Sequence, residues 1–347
     1  MKYTFPILNL SIGGAQRMLA ELVNGLAQRG HSVTVLMPPG EPIQYPLRAR
    51  VIRSSGASIT PADFPKSDVI VSNFYTTVPA AQLASQQGKG VHVRLSLCYE
   101  PTFLPHSPLS FPSYHATPNL LVLSTWQQKI IQLNHGIRGH IVPVGVSPSY
   151  RNLGIRRPEG PPHIAAILRK PEGGFSWHRD QDTLIQALIE VKNRFPYVMV
   201  SLFCPPGELA TSSSLQNLAS TGQFRVLTPK DDVEMCYHYN EAHIFVSSST
   251  YDAASLPGLE AMKCGAALVT VYSGGNADYC RHEVNCLMSY RYENRLAHNV
   301  LRLIQDPALR AMLAREGESE ASRWTWERSV NAFEAAVLRI LQGIPAP

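Results

Sequence analysis

The chain has 347 residues, 44% of them hydrophobic and 16% charged, with a formal net charge of +5. That length suits two domains, the composition excludes a disordered chain, and no apolar run approaches the roughly 20 residues of a membrane-spanning helix. The charge is uneven: residues 1–150 hold 11 Lys and Arg against 5 Asp and Glu, and the remainder hold 20 against 21. The basic half, with Arg48, Arg50 and Arg53 close together, fits an ordinary solvated face, and it also fits an anionic acceptor or peripheral contact with lipid head groups. Nucleic acid is not expected, because no aromatic-basic recognition module accompanies the charge. Residues 1–10 lack the pattern of a signal peptide. The six cysteines (Cys98, Cys204, Cys236, Cys264, Cys280, Cys286) include no C-x-x-C pair, which points to reduced thiols and no zinc site. A cytoplasmic protein, at most peripheral to the inner membrane face, is the expectation.

Short apolar runs alternate with amphipathic stretches, as βαβ units do in a mainly parallel sheet. Strands are expected at 5–10, 32–37, 68–72, 91–97, 120–123 and 140–144. The first leads into Gly13-Gly14 and a helix whose Met18, Leu19, Leu22, Val23 and Leu26 share one face, closed by Gly30. Residues 148–162 hold Pro148, Pro158, Pro161 and Pro162 with Gly154 and Gly160, and read as a linker. The pattern then restarts, with strands expected at 164–168, 197–203, 224–227, 243–246 and 267–271, and helices at 182–193, from Val233 and near 256–264. A helical tail is expected over 307–341, with Trp324, Trp326, Phe333, Val337 and Leu341 available for packing. The expectation is therefore an α/β protein of two doubly wound, Rossmann-like domains facing across a cleft: 1–147, then a linker at 148–162, then 163–325. The last segment, 326–347, is a helix free to pack back on the first domain.

The most informative segment is 247–262, S-S-S-T-Y-D-A-A-S-L-P-G-L-E-A-M, followed by Lys263-Cys264-Gly265. Two carboxylates, Asp252 and Glu260, flank a loop that closes into a helix at Leu256-Pro257, with proline suited to a first helical turn. Glu260 then lies one turn into the helix, where its carboxylate can accept two hydroxyl hydrogen bonds from a vicinal diol such as a ribose. The loop amides and the helix N-terminus, from Ser255 onward, favour a phosphate. A surface acid on an ordinary helix is the bland alternative.

This segment resembles the carboxylate-x7-carboxylate signature of retaining GT-B glycosyltransferases of family 4, roughly E-G-F-G-L-P-x-x-E-A-M-x-C-G. The chain keeps Leu256-Pro257, Glu260-Ala261-Met262 and Cys264-Gly265, and continues with a strand, Gly274-Gly275, Asp278 and Asn285. Gly13-Gly14-Ala15-Gln16-Arg17 resembles the family's G-G-A-E-R loop, and Arg29-Gly30-His31-Ser32-Val33 its R-G-H-x-V. Residues 121–129 resemble the strand-Ser-x-x-x-x-Lys element, and Val142-Pro143-Val144-Gly145-Val146 the I-P-N-G-V that ends the first domain.

The resemblance implies a nucleotide diphosphate sugar as donor substrate, with no cofactor and no metal. It implies transfer to a glycan, lipid-linked or small-molecule acceptor. Arg169 matches the family's first diphosphate cation, Arg179 stands where its Lys usually does, and Lys170 is the competing candidate. Asp252 would position the sugar, Glu260 the ribose, and Ser255, Leu256 and Pro257 the phosphate, while Gly13 and Gly14 would approach the reacting groups. Glu100, in Cys98-Tyr99-Glu100-Pro101 after the strand 91–97, is the acceptor-side candidate, with His106 and His115 in the long 101–118 loop as further contacts and His92 as a packed residue. Two departures stand out: Asp252 replaces the first Glu, and Ala253-Ala254-Ser255 replaces G-F-G. A sugar-nucleotide epimerase on the same scaffold, using Asp278, Glu100 and His92, and a non-catalytic nucleotide-sugar-binding homologue are the competing readings. A nicotinamide oxidoreductase is disfavoured by the absence of G-x-G-x-x-G, residues 13–18 reading G-G-A-Q-R-M.

Overall fold

A computed structural model describes every residue except 105–106, 158–159 and 174–175, so His106 lies outside the described residues. The chain forms two compact units, one comprising Met1–Gly145 with Trp326–Pro347 and the other Val146–Thr325. Among the described residues, no helix is long and apolar enough to cross a membrane.

The first unit is built on seven parallel strands: β1 Lys2–Pro6, β2 Ser32–Met37, β3 Arg50–Arg53, β4 Val69–Ser72, β5 Val91–Leu95, β6 Leu120–Val122 and β7 His140–Ile141. Their order is β3-β2-β1-β4-β5-β6-β7, the doubly wound arrangement with its reversal between β1 and β4. β1 pairs with β2 from Lys2↔Ser32 to Pro6↔Leu36, three residues ahead of the expected start. Ile7 and Leu10 are buried as deeply as the strand itself, so an apolar run could not tell the strand from the buried loop that follows it. β3 was not expected, since an edge strand reading R-V-I-R offers only two apolar residues.

The helix Gly14–Gln28 buries Met18, Leu19, Leu22, Val23 and Leu26, the face read from its periodicity. Against it lies the helix Trp326–Leu341, which buries Trp326, Val330, Phe333 and Val337. Phe333 stacks on Phe5 with ring centroids 6.0 Å apart and meets Tyr3 at 5.9 Å. Glu334 holds Arg29 and accepts from or pairs with His31 at 2.7 Å. The 307–341 stretch is two helices: Pro307–Ala321 lies in the second unit, residues 322–325 break the run, and Trp326–Leu341 lies in the first.

The second unit is built on β8 His163–Ile167, β9 Met199–Phe203, β10 Arg225–Leu227, β11 Ile244–Ser247, β12 Ala267–Val271 and β13 Leu287–Ser289. All are parallel and ordered β10-β9-β8-β11-β12-β13, with the reversal between β8 and β11. The stretch read as a linker is tied down on this unit. Leu153 N–H donates to Asn240 at 2.7 Å, and Arg156 donates to the carbonyls of Ala242 at 2.6 Å and Cys264 at 2.8 Å. These bonds satisfy carbonyls that a free linker would leave to water.

Past β11, the loop at 248–255 lies across the start of the turn after β12. Asp252 N–H donates to Ser273 O at 2.8 Å, and Gly275 N–H donates to Asp252 O at 2.9 Å. The approach is so close that a Cβ on Gly275 would stand 1.9 Å from Ala253 O. Two stability predictions follow from these packings. Gly275→Ala should drive the two loops apart and lower stability by about 1–3 kcal/mol, read as a fall in denaturation midpoint with an unchanged urea slope. Phe333→Ala should lower stability by about 3–5 kcal/mol, read the same way.

Candidate functional site

In the second unit, the carboxyl ends of β8 and β11 flank the point where strand order reverses, the place where open α/β sheets hold ligands. Arg169 and Lys170 follow β8, and the loop Ser248–Ser255 follows β11. Two stitches join that loop to the turn Trp177–Arg179: Thr250 N–H donates to His178 O at 2.8 Å, and Ser248 Oγ donates to Arg179 O at 2.6 Å.

Within this frame, the structure brings Arg179 and Asp252 together. Arg179 Nη1 lies 3.1 Å from Asp252 Oδ2 and 3.3 Å from Ser249 Oγ, and its Nε is buried without a hydrogen-bond partner among the described residues. The other carboxylate oxygen of Asp252 accepts from the N–H of Ser255 at 2.9 Å and of Ala254 at 3.2 Å. Those bonds hold Ser255 in the left-handed region at φ +52°, immediately before the helix Leu256–Lys263. A serine there is strained by roughly 1–3 kcal/mol, and the glycine of the resembling G-F-G pattern would not be.

Pro257 stands in the first turn of that helix, and Glu260 one turn on. One Glu260 oxygen accepts from Tyr239 Oη at 3.2 Å. Burial, reinforced by the Glu260 carboxylate, holds the Tyr239 phenol well above its usual range, so it remains a donor. The floor of the loop is closed by Tyr279, whose hydroxyl donates to Ser255 O at 2.8 Å. Asn276, fully buried, accepts from Ser273 N–H at 3.0 Å and donates to Val271 O at 2.8 Å.

Arg169 is engaged elsewhere than Arg179. Its Nε donates to both oxygens of Glu208 at 2.9 and 3.0 Å, its Nη2 adds a contact, and Lys170 N–H donates to the same carboxylate at 2.6 Å. Lys170 Nζ reaches Thr211 O at 3.1 Å. Sequence reasoning passed over Glu208, which lies 39 positions from Arg169 in an unremarkable Pro-Pro-Gly-Glu stretch. It also passed over Trp177 and Tyr251, whose rings sit 6.3 Å apart beside Arg179 and Asp252, with Trp177 55% exposed. Their neighbourhood to two singled-out residues was the only signal in the sequence.

In the first unit, Gly13 and Gly14 open the helix Gly14–Gln28, and the Gly13 N–H donates to Tyr45 Oη at 3.0 Å. Among the described residues, a Cβ on Gly14 would meet nothing within 4 Å.

Glu100 is corrected. It is not an open acceptor-side carboxylate: it is 2% exposed, ion-paired with Arg94, and accepts from Tyr75 N–H at 2.9 Å. Arg94 in turn stacks 3.6 Å from the Tyr114 ring centroid and donates to Ser113 Oγ at 2.8 Å. Burial raises the Glu100 carboxyl against the pull of Arg94. A group sealed this way braces the segment after β5 and has no face for a ligand. His92 is packed as expected, between Ser72 and Gln82, and burial pushes it down to about 4. His115 is exposed, with Nε2 3.1 Å from His135 Nδ1.

Residues 173–306 match the family described as glycosyl transferases group 1. A D-inositol 3-phosphate glycosyltransferase of Salinispora tropica is 29% identical over 160 residues, which are 43% of this chain and 33% of that protein. A namesake from Salinispora arenicola is 28% identical over 163 residues, 44% of this chain and 36% of its own. The chain thus spans about a third of the length of these curated relatives. Among solved structures, sucrose-phosphate synthase of Thermosynechococcus elongatus superposes with a TM-score of 0.79 at 15% identity, covering 99% of both chains. HepE of Anabaena, solved with UDP and glucose, superposes with a TM-score of 0.79 at 17% identity, covering 97% of this chain and 99% of its own. The family match falls within Val146–Thr325, the unit that holds Arg179, Asp252 and Glu260, and the likeness in fold runs through both units. This chain thus has two parallel-sheet units in the GT-B fold, and over residues 173–306 it is similar to the group 1 glycosyltransferases.

Proposed function

We propose that the chain is a retaining glycosyltransferase that moves a hexosyl or deoxyhexosyl group from a nucleotide diphosphate sugar to a glycan, lipid-linked or small-molecule acceptor, without a metal ion. The observation that carries this reading is the Arg179–Asp252 pair, 3.1 Å apart and partly open to solvent, with Glu260 one turn into the helix Leu256–Lys263 that follows Asp252. It sets a guanidinium, a carboxylate and a second carboxylate at the carboxyl edge of one sheet, which are the charges needed for a leaving diphosphate, a sugar and a ribose diol. The solved neighbour from Anabaena was also captured with UDP-glucose, which supports a nucleotide sugar as the donor class.

In this reading Glu260 accepts the ribose hydroxyls while Tyr239 orients its carboxylate. Asp252 accepts hydroxyl hydrogen bonds from the donor sugar through the oxygen it shares with Arg179. Arg179 and Arg169 stabilise the charge that develops on the diphosphate as the glycosidic bond breaks, the contribution expected to be largest in a preorganised site. The acceptor attacks the face the diphosphate leaves, and the departing phosphate takes the acceptor's proton. The two arginines supply the positive charge otherwise drawn from a metal.

Glu260→Ala and Arg179→Ala should each lower transfer by about 10²–10³-fold in assays with UDP-, GDP-, dTDP- and ADP-hexoses, with circular dichroism unchanged. Wild-type rates in both variants would sink the site assignment. A change of the sugar with no acceptor present would favour an epimerase instead, and nucleotide binding without turnover a non-catalytic homologue. Excess EDTA should leave the wild-type rate unaltered, and the product's anomeric configuration, followed by proton NMR, should match that of the donor.

A further inference from the structure

Arg169 already holds an anion, and that anion is part of the protein. The Glu208 carboxylate accepts from Arg169 Nε at 2.9 and 3.0 Å, from Nη2, and from Lys170 N–H at 2.6 Å. A guanidinium fork together with a backbone amide, just past the carboxyl end of a central strand, is also the donor set that a phosphate takes. The pair is open to exchange, because the Arg169 and Glu208 side chains are 38% and 23% exposed. On the helix Pro206–Thr211 it is Leu209 that packs against the core, and Glu208 can swing aside about its own side-chain torsions without moving it. Although burial alone would raise it, the Arg169 and Lys170 contacts hold the Glu208 carboxyl below its usual range, so it is ionised at neutral pH. A diphosphate carries more negative charge than a carboxylate and can bond the same fork, so the two compete for Arg169.

We propose that Glu208 is the resident counter-anion of the donor's diphosphate site, holding Arg169 in place while no nucleotide is bound and giving way when a diphosphate enters. This rests on the donor reading above, and it adds a residue whose effect has a distinctive sign. A partner that only positioned Arg169 would weaken ligand binding when removed. A competing anion strengthens it.

The test is calorimetry on the full chain with inorganic pyrophosphate and, separately, UDP. Glu208→Gln and Glu208→Ala should each bind both ligands about tenfold more tightly than wild type, equivalent to about 1.4 kcal/mol. The gain should vanish when Glu208→Gln is compared in an Arg169→Ala background, because the competition is for Arg169. Equal or weaker binding by either folded variant overturns the proposal, as does a gain that survives without Arg169. If wild type and both variants bind neither pyrophosphate nor UDP, GDP, dTDP or ADP, the donor reading itself falls and the counter-anion with it. Binding by wild type with no gain in the variants removes the counter-anion alone.

Discussion

The Asp252 carboxylate is tied on both sides, and the local structure of the second unit's site depends on that tie. One oxygen gathers the amides of Ala254 and Ser255, which holds a serine in a left-handed conformation and starts the next helix at Leu256. The other holds Arg179. The backbone of the same residue is bridged to the turn after β12, where only glycine at 275 allows the two chains to approach. A side chain one methylene longer would have to fold back to make the same amide contacts. The replacement of Glu by Asp at this position is thus matched to a loop drawn in tightly, with Ser255 in the strained place.

The first unit contains a second arginine–carboxylate pair of opposite character. Arg94 and Glu100 have side-chain exposures of 1% and 3%, against 21% and 17% for Arg179 and Asp252. Taking two charges fully out of water is offset only by close pairing and added polar contacts, and here Ser113 and the Tyr75 amide supply hydrogen bonds while the Tyr114 ring faces the guanidinium. Such a pair braces the loops between β4 and β6 and has nothing left to offer a substrate. The Arg179–Asp252 pair keeps part of its surface in solvent, and Arg169–Glu208 keeps more. Chemistry on charged ligands belongs with pairs that can still be parted.

Much was legible along the chain because it is governed by local periodicity. The alternation of apolar runs with amphipathic stretches, the buried face of Gly14–Gln28 and the turn into Leu256–Lys263 each depend on neighbours within a few residues. The two-domain α/β class follows from the same alternation. The signature carboxylates and Arg179 could be singled out because they stand in short motifs. Strand ends were less legible. β3 carries only two apolar residues, and the run containing β1 continues into an equally buried loop.

What only the tertiary structure decided was which charges meet. Glu100 and Arg169 look alike in the sequence, each a charged residue just past a strand, yet one is sealed against Arg94 and the other is met by Glu208 from 39 positions away. The sequence by itself determined the alternation of strands and helices and the residues able to bear charge. Their pairing, burial and exposure depend on contacts between segments far apart in the chain, and no local period encodes those.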